Sequence, residues 1–300
     1  MNITNPIFHD EAKAAAHIEQ SRWPDGEPVC PFCESTGVTR MGGKTQAGMF
    51  LCNSCRDKFT CRTGTVMERS HLPLHKWLLA THLMAASKKG MSAKQMERML
   101  GVTYKTAWFL CHRIREAMQD DGAPLGGEGK TVESDEAFVG GFKKKRLSGK
   151  VAPKKKIMTL VERDGRARSF HVTHIDHTNV RAALVTNVHR SSTLMTDDAR
   201  WYKNVGREFA AHGSTLHALR QFSKGDGVHS NTAENFFSIF KRGVIGVYHH
   251  MSAVHMHRYL AEFDMRYSTK KISDGERASL ILKGMEGRRL TYRRTNAVAA

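Results

Sequence analysis

Apolar and polar positions change period several times along the chain, and each change predicts an element. Residues 10–20 read as a short helix, broken by Trp23-Pro24-Asp25-Gly26. Alternation at Val38 and Arg40, then at Met49, Phe50 and Leu51, reads as short strands. From residue 74 the period becomes helical. Residues 74–87 carry Trp77, Leu78, Leu79, Leu83 and Met84 and stop at Lys88-Lys89-Gly90. Ser92-Ala-Lys-Gln95 fits a capping box that opens a short helix to Leu100, Gly101-Val102 makes a turn, and Thr103 caps a longer helix to Met118. This outline predicts a helix-turn-helix whose last helix, with Lys105, His112, Arg113 and Arg115, would lie in a DNA major groove; a plain three-helix packing module is the alternative.

A Gly-rich stretch with one Pro at 120–129 shows no periodicity and predicts a domain junction. Beyond it residues 130–139, 157–163 and 168–175 read as a meander of three strands, with Asp164-Gly165 as one of its turns. Residues 178–190 have a helical period, and 191–196 form a short strand that stops at Asp197-Asp198. Residues 205–229 are the least legible part, a strand and a loop. Residues 230–242 read as an amphipathic helix with Asn231, Glu234, Asn235, Ser238, Lys241 and Arg242 in one polar stripe and Phe236, Phe237, Ile239 and Phe240 on the rest. Residues 253–267 form a core helix, and a basic tail follows from 268.

Charge sharpens this outline. The 300 residues hold 47 Lys or Arg against 29 Asp or Glu, a formal +18, which calls for a polyanionic partner, and nucleic acid is the first candidate. No run of 18 apolar residues and no export signal is present, so a soluble, cytoplasmic protein with no membrane partner is expected. Four of six cysteines form Cys30-Pro-Phe-Cys33 and Cys52-Asn-Ser-Cys55, two knuckles that present four thiolates to one structural Zn²⁺ in a zinc ribbon. Cys61 and Cys111 read as buried small residues. Residues 143–156 hold eight Lys or Arg and no acid; Lys143, Lys144, Lys145, Arg146, Lys154, Lys155 and Lys156 are either a solvated loop or a grip on phosphates beside Asp135.

Three carboxylates stand in a telling order: Asp135 on a first strand, Asp197 after a later strand and Glu234 on a helix. If such a cluster forms it calls for two divalent cations, Mg²⁺ or Mn²⁺, suited to an in-line phosphoryl displacement. With Arg62-Thr-Gly-Thr-Val-Met-Glu-Arg-Ser70, Leu72-Pro-Leu-His-Lys-Trp77, Asp135-Glu-Ala-Phe-Val-Gly-Gly141, Thr196-Asp-Asp198, the block from His229 to His250 and His257-Arg-Tyr-Leu-Ala-Glu-Phe263, the chain resembles the DDE-type insertion-sequence transposases with an N-terminal zinc ribbon, ISXO-like and Merlin-related.

That resemblance implies an α/β fold with a mixed sheet, an RNase H-like catalytic domain preceded by a zinc ribbon and a helix-turn-helix module. The boundaries expected are 1–25 for an N-terminal helix, 26–65 for the ribbon, 70–120 for the helix-turn-helix, 121–129 for a linker, 130–267 for the catalytic domain and 268–300 for the basic tail. It also implies Asp135, Asp197 and Glu234 as metal-binding triad, Asn231 or Asn235 as support, and Lys241 as a DNA contact near the reacting phosphate. Each aspartate has an acidic neighbour, Glu136 or Asp198, and strand alternation favours the first of each pair. The activity implied is hydrolysis at the element end followed by attack of the freed 3′-OH on target DNA, by a homodimer or higher oligomer on double-stranded DNA. A zinc-ribbon DNA-binding regulator and a metal-dependent nuclease without strand transfer are the competing readings.

Overall fold

In the computed structural model, which describes residues 2–43, 46–140, 154–215 and 227–291, the chain divides into two compact units, Met1–Met118 with Lys271–Ala300 and Gln119–Lys270. In the first unit the Asp10 side chain accepts a hydrogen bond from the Lys13 N–H and opens α1, Glu11–Arg22, which ends at Trp23. Strands β1 (Val38–Arg40), β2 (Met49–Cys52) and β3 (Lys58–Thr60) pair antiparallel in that order. Phe50 and Phe59 face each other across β2 and β3 with rings stacked at 5.4 Å, and Trp23 meets Phe50 edge-on at 5.3 Å. The Trp-Pro break thus places a core residue of the ribbon as well as a helix stop.

Helix α2, Leu74–Ala86, buries residues on almost every side because α1, α4 (Tyr104–Ala117) and α9 (Asp274–Lys283) all pack on it. Ser92 caps α3, Ala93–Leu100, and Thr103 caps α4; between them Gly101 sits at φ 59°, ψ 48°, a left-handed conformation that a side chain would strain. Helix α9 lies within the stretch expected as a basic tail. It opens with a full capping box between Ser273 and Glu276, buries Ile281 and Leu282, and Arg277 donates to the Ala85 carbonyl at 2.9 Å.

The second unit is a five-stranded mixed sheet in the order β6-β5-β4-β7-β8. Strands β4 (Thr131–Val139), β5 (Lys155–Glu162) and β6 (Ala167–Val172) form the antiparallel meander, and β7 (Thr193–Asp197) and β8 (Ala211–Thr215) continue parallel to β4. Alternation along β4 serves two cores. On one face Ala137, Val139 and Ile157 of the sheet pack with Phe236 and Phe240 from α7 (Asn231–Gly243) and Phe263 from α8 (Met256–Ser268). On the other, Val132 and Leu160 of the sheet pack with Val180 and Leu184 from α5 (His177–Asn187) and Tyr202 from α6 (Tyr202–Val205). Within the stretch expected as a linker, Leu125 is fully buried and its backbone bonds to Asn187 and His189, while residues 121–124 and 128–129 are exposed. Among the described residues no helix is long and apolar enough to cross a membrane.

Candidate active site

The four cysteines converge as the spacing requires. In each knuckle the residue after the second cysteine, Glu34 or Arg56, takes positive φ (58° and 63°) and returns its N–H to the carbonyl of the first cysteine. Cys30 and Cys55 sulfurs stand 3.7 Å apart and Cys33 and Cys52 sulfurs 3.5 Å. Sulfurs around a Zn²⁺ at about 2.3 Å stand about 3.8 Å apart, so the donor set fits zinc. The Cys55 N–H points at the Cys52 sulfur and pulls that thiol down to about 6, the form a metal takes. All four donors are protein thiolates, which leaves no open position and makes the site structural.

In the second unit the β4–β7 ladder pairs Thr131 with Thr193 and Glu133 with Met195. Continuing that register brings Asp135 level with Asp197, the last residue of β7, two residues beyond the last β4–β7 pair. Asp135, Glu136 and Asp197 are each partly exposed and place carboxylate oxygens within 4.8 Å of one another. Hard oxygen donors of this kind suit Mg²⁺ or Mn²⁺. Glu136 is held from the opposite face of β4 by the Trp201 indole N–H at 3.1 Å and by the Tyr202 hydroxyl. Its burial, reinforced by the charges of Asp197 and Asp135, pushes its carboxyl up to about 7 despite those two donors. Tyr202, buried against Glu136, is driven well above the usual phenol range. Asp197 also accepts the Ala199 N–H at 3.1 Å, which orients it in a turn, whereas Asp198 is exposed.

Strand alternation favoured one member of each acidic pair, and the close group instead takes both Asp135 and Glu136. Glu234 is half-buried on the first turn of α7 and is not a member of that group. Asn231, Asn235 and Lys241 are exposed on the same helix, whose Phe236, Phe237 and Phe240 are buried.

Residues 124–268 match the ISXO2-like transposase domain, and residues 9–58 match the transposase zinc-ribbon domain. The chain belongs to the ISXO2-like transposases with an N-terminal zinc ribbon. A protein of transposable element ISH50 from Halobacterium salinarum, itself described as uncharacterized, is 28% identical over 281 residues, covering 86% of this chain and 91% of that protein. The zinc-ribbon match begins at residue 9, ahead of α1, in keeping with the Trp23 ring packed against Phe50.

The basic residues of the transposase separate into distinct environments. Lys105 is exposed near the start of α4. Arg113, expected at a DNA surface, is 9% exposed and spent on the carbonyls of Leu290 (3.2 Å) and Glu68 (3.1 Å), with its guanidinium against the Phe109 ring. Lys154 is exposed, but Lys155 and Lys156 are strand residues, the first bound to the Met251 carbonyl and the second to that of Thr173 at 3.1 Å. Lys143, Lys144, Lys145 and Arg146 lie outside the described residues. The residue that sequence reasoning missed is Glu133, buried on the face of β4 that also carries Asp135; the period of two was the signal for it.

Proposed function

We propose that this transposase binds the terminal inverted repeats of its element, cleaves at the ends by divalent-metal-dependent hydrolysis and joins the freed 3′-OH to target DNA. The observation that carries the reading is the convergence of Asp135, Glu136 and Asp197 just beyond the last β4–β7 pair of the matched transposase domain. A divalent cation held there supplies Lewis-acid charge to the reacting phosphodiester. Asp135 and Asp197 are assigned as principal ligands, with Glu136 completing the close group. Glu234 is assigned as the carboxylate that the helix contributes, with Asn231 and Asn235 as polar support. Lys241, on the same stripe, is assigned to the DNA beside the scissile phosphate. Strand backbone fixes the first three groups and the buried phenylalanines fix the helix, so the phosphodiester is oriented by rigid elements.

The mixed sheet with helices on both faces supports an RNase H-like reading of this domain. Helices α3 and α4, joined through a left-handed Gly101, support a helix-turn-helix reading. In this account the ribbon and α4, through Lys105, read the repeats, and the net positive charge supplies a salt-dependent grip, with the protein working in the cytoplasm as a dimer or higher oligomer on DNA. The test incubates zinc-loaded protein with Mg²⁺ and a labelled duplex of the DNA flanking its coding sequence, wild type against Asp197→Ala. Cleaved and joined products from the wild type alone are expected. Binding without metal-dependent cleavage overturns the enzyme reading, and cleavage without joining makes the protein a nuclease.

A further inference from the structure

Glu133 is 0% exposed, and a buried carboxylate persists only where its partners are good. Its Oε2 accepts the backbone N–H groups of Thr232 (2.8 Å) and Ala233 (3.0 Å), and its Oε1 accepts the Thr232 hydroxyl (2.8 Å) and Arg163 Nε (2.7 Å). Arg163 spends its remaining donors on the segment that leads into α7, reaching the carbonyls of Gly227 and His229, both at 2.8 Å. His229 Nδ1 lies between the two, 3.1 Å from Arg163 Nη2 and 3.2 Å from Glu133 Oε1.

Helix α7 has no side-chain cap of its own: Ser230, at the N-cap position, makes no capping hydrogen bond. The open N–H groups of its first turn are taken instead by a carboxylate 99 and 100 residues away in sequence. A local Ser or Asp would satisfy those donors without burying a charge. What the distant carboxylate adds is geometry. Glu133 stands two residues before Asp135 on the same face of β4, a strand distance of about 7 Å, and the helix residue that follows Ala233 is Glu234.

We propose that Glu133 and Arg163 are positioning residues that lock the first turn of α7 to the strand bearing Asp135, so that Glu234 is presented to the divalent-metal site. The inference rests on the reading of α7 as part of the active site. Glu133 touches neither metal nor DNA in this scheme. It acts through the helix, while Arg163 fixes the chain that leads into the helix, and the pair ties the first turn of α7 to β4.

The test uses the full zinc-loaded chain. Glu133→Gln keeps the shape but offers one acceptor oxygen where two are used. Expected are unchanged binding of the flanking duplex, faster amide exchange confined to residues 229–240, a higher half-saturating Mg²⁺ concentration and cleavage slower by about a hundred-fold. A role in stability alone would leave the Mg²⁺ dependence of the folded fraction where it was. The double variant Glu133→Gln/Glu234→Gln is expected to be no slower than Glu234→Gln by itself. Should Glu133→Gln fail to fold, Arg163→Lys keeps the counter-charge and removes the fork to Gly227 and His229; the same shift in Mg²⁺ dependence is expected. Wild-type cleavage and Mg²⁺ dependence in the folded variants, with Glu234→Gln impaired, overturn the positioning role. Full activity of Glu234→Gln overturns the reading of α7 beneath it.

Discussion

Asp197→Asn is the sharpest perturbation of the carboxylate cluster, because it removes one charge while keeping the side-chain oxygen that accepts the Ala199 N–H. The carboxylate oxygens of Asp135, Glu136 and Asp197 lie within 4.8 Å of each other. Two unit charges at that distance repel by about 0.9 kcal/mol in bulk water and about 3.5 kcal/mol at an effective dielectric of about 20. Three ionised carboxylates therefore repel by roughly 3 to 10 kcal/mol in the absence of counter-charge. Glu136 relieves part of this by holding its proton up to about 7, and above that pH a divalent cation is the natural remedy. At about pH 8, with Mg²⁺ at about a hundred times its Kd, the second unit should gain about 2.7 kcal/mol. The variant should bind the ion at least about ten-fold more weakly and lose about 1.4 kcal/mol of that gain. Urea unfolding read by amide exchange at residues 131–139 and 193–197 isolates this unit from the zinc ribbon. Equal gains in wild type and variant, or no gain in the wild type with either Mg²⁺ or Mn²⁺, would refute the reasoning.

Stripping zinc, or Cys52→Ser, should unfold the ribbon, since structural zinc contributes on the order of 10 kcal/mol in small modules; protease resistance of residues 26–65 unchanged by chelator would contradict this. Burial holds the Asp264 carboxyl up at about 7, against hydrogen bonds from Ser169, where the unfolded chain titrates near 3.8. The folded state therefore binds that proton more tightly, so this contribution is fully present below about pH 4, is lost as the pH rises to about 7 and is then flat, up to about 4 kcal/mol in all. Asp264→Asn should accordingly gain stability over wild type more at about pH 8 than at about pH 5 in chemical denaturation, and an equal difference at both would count against it. Lys241→Ala, at an exposed position, should leave the unfolding midpoint within about 0.5 kcal/mol and weaken binding or cleavage of flanking DNA; unchanged activity would show that this stripe does not meet DNA.

Much of this architecture was written in periodicity. Alternation around Val132 gives β4, and the two Cys-x-x-Cys knuckles give the ribbon. Alternation singled out Asp135, and the close group also takes in Glu136. Asp135 and Glu136 do leave β4 on opposite faces, one toward the α7 core and one toward Tyr202. Beyond the last β4–β7 pair, however, both carboxylates still come within 4.8 Å of each other and of Asp197. Arg113 was misplaced for another reason: charge predicts exposure only where no tertiary acceptors are near, and the carbonyls of Glu68 and Leu290 come from segments far along the chain. Helix α9 carried its signature in Ser273-x-x-Glu276, obscured by averaging charge over the tail. Glu133 was hidden because its partners, Arg163 and the start of α7, are distant in sequence.

The claim on which the account stands is that the Asp135, Glu136 and Asp197 cluster is a divalent-metal site. Crystals of the zinc-loaded protein soaked in Mn²⁺, with anomalous scattering recorded at the manganese and zinc edges, test it directly. Manganese density is expected among those three carboxylates and zinc density among Cys30, Cys33, Cys52 and Cys55. Zinc density in the ribbon with no manganese at the carboxylates would contradict it.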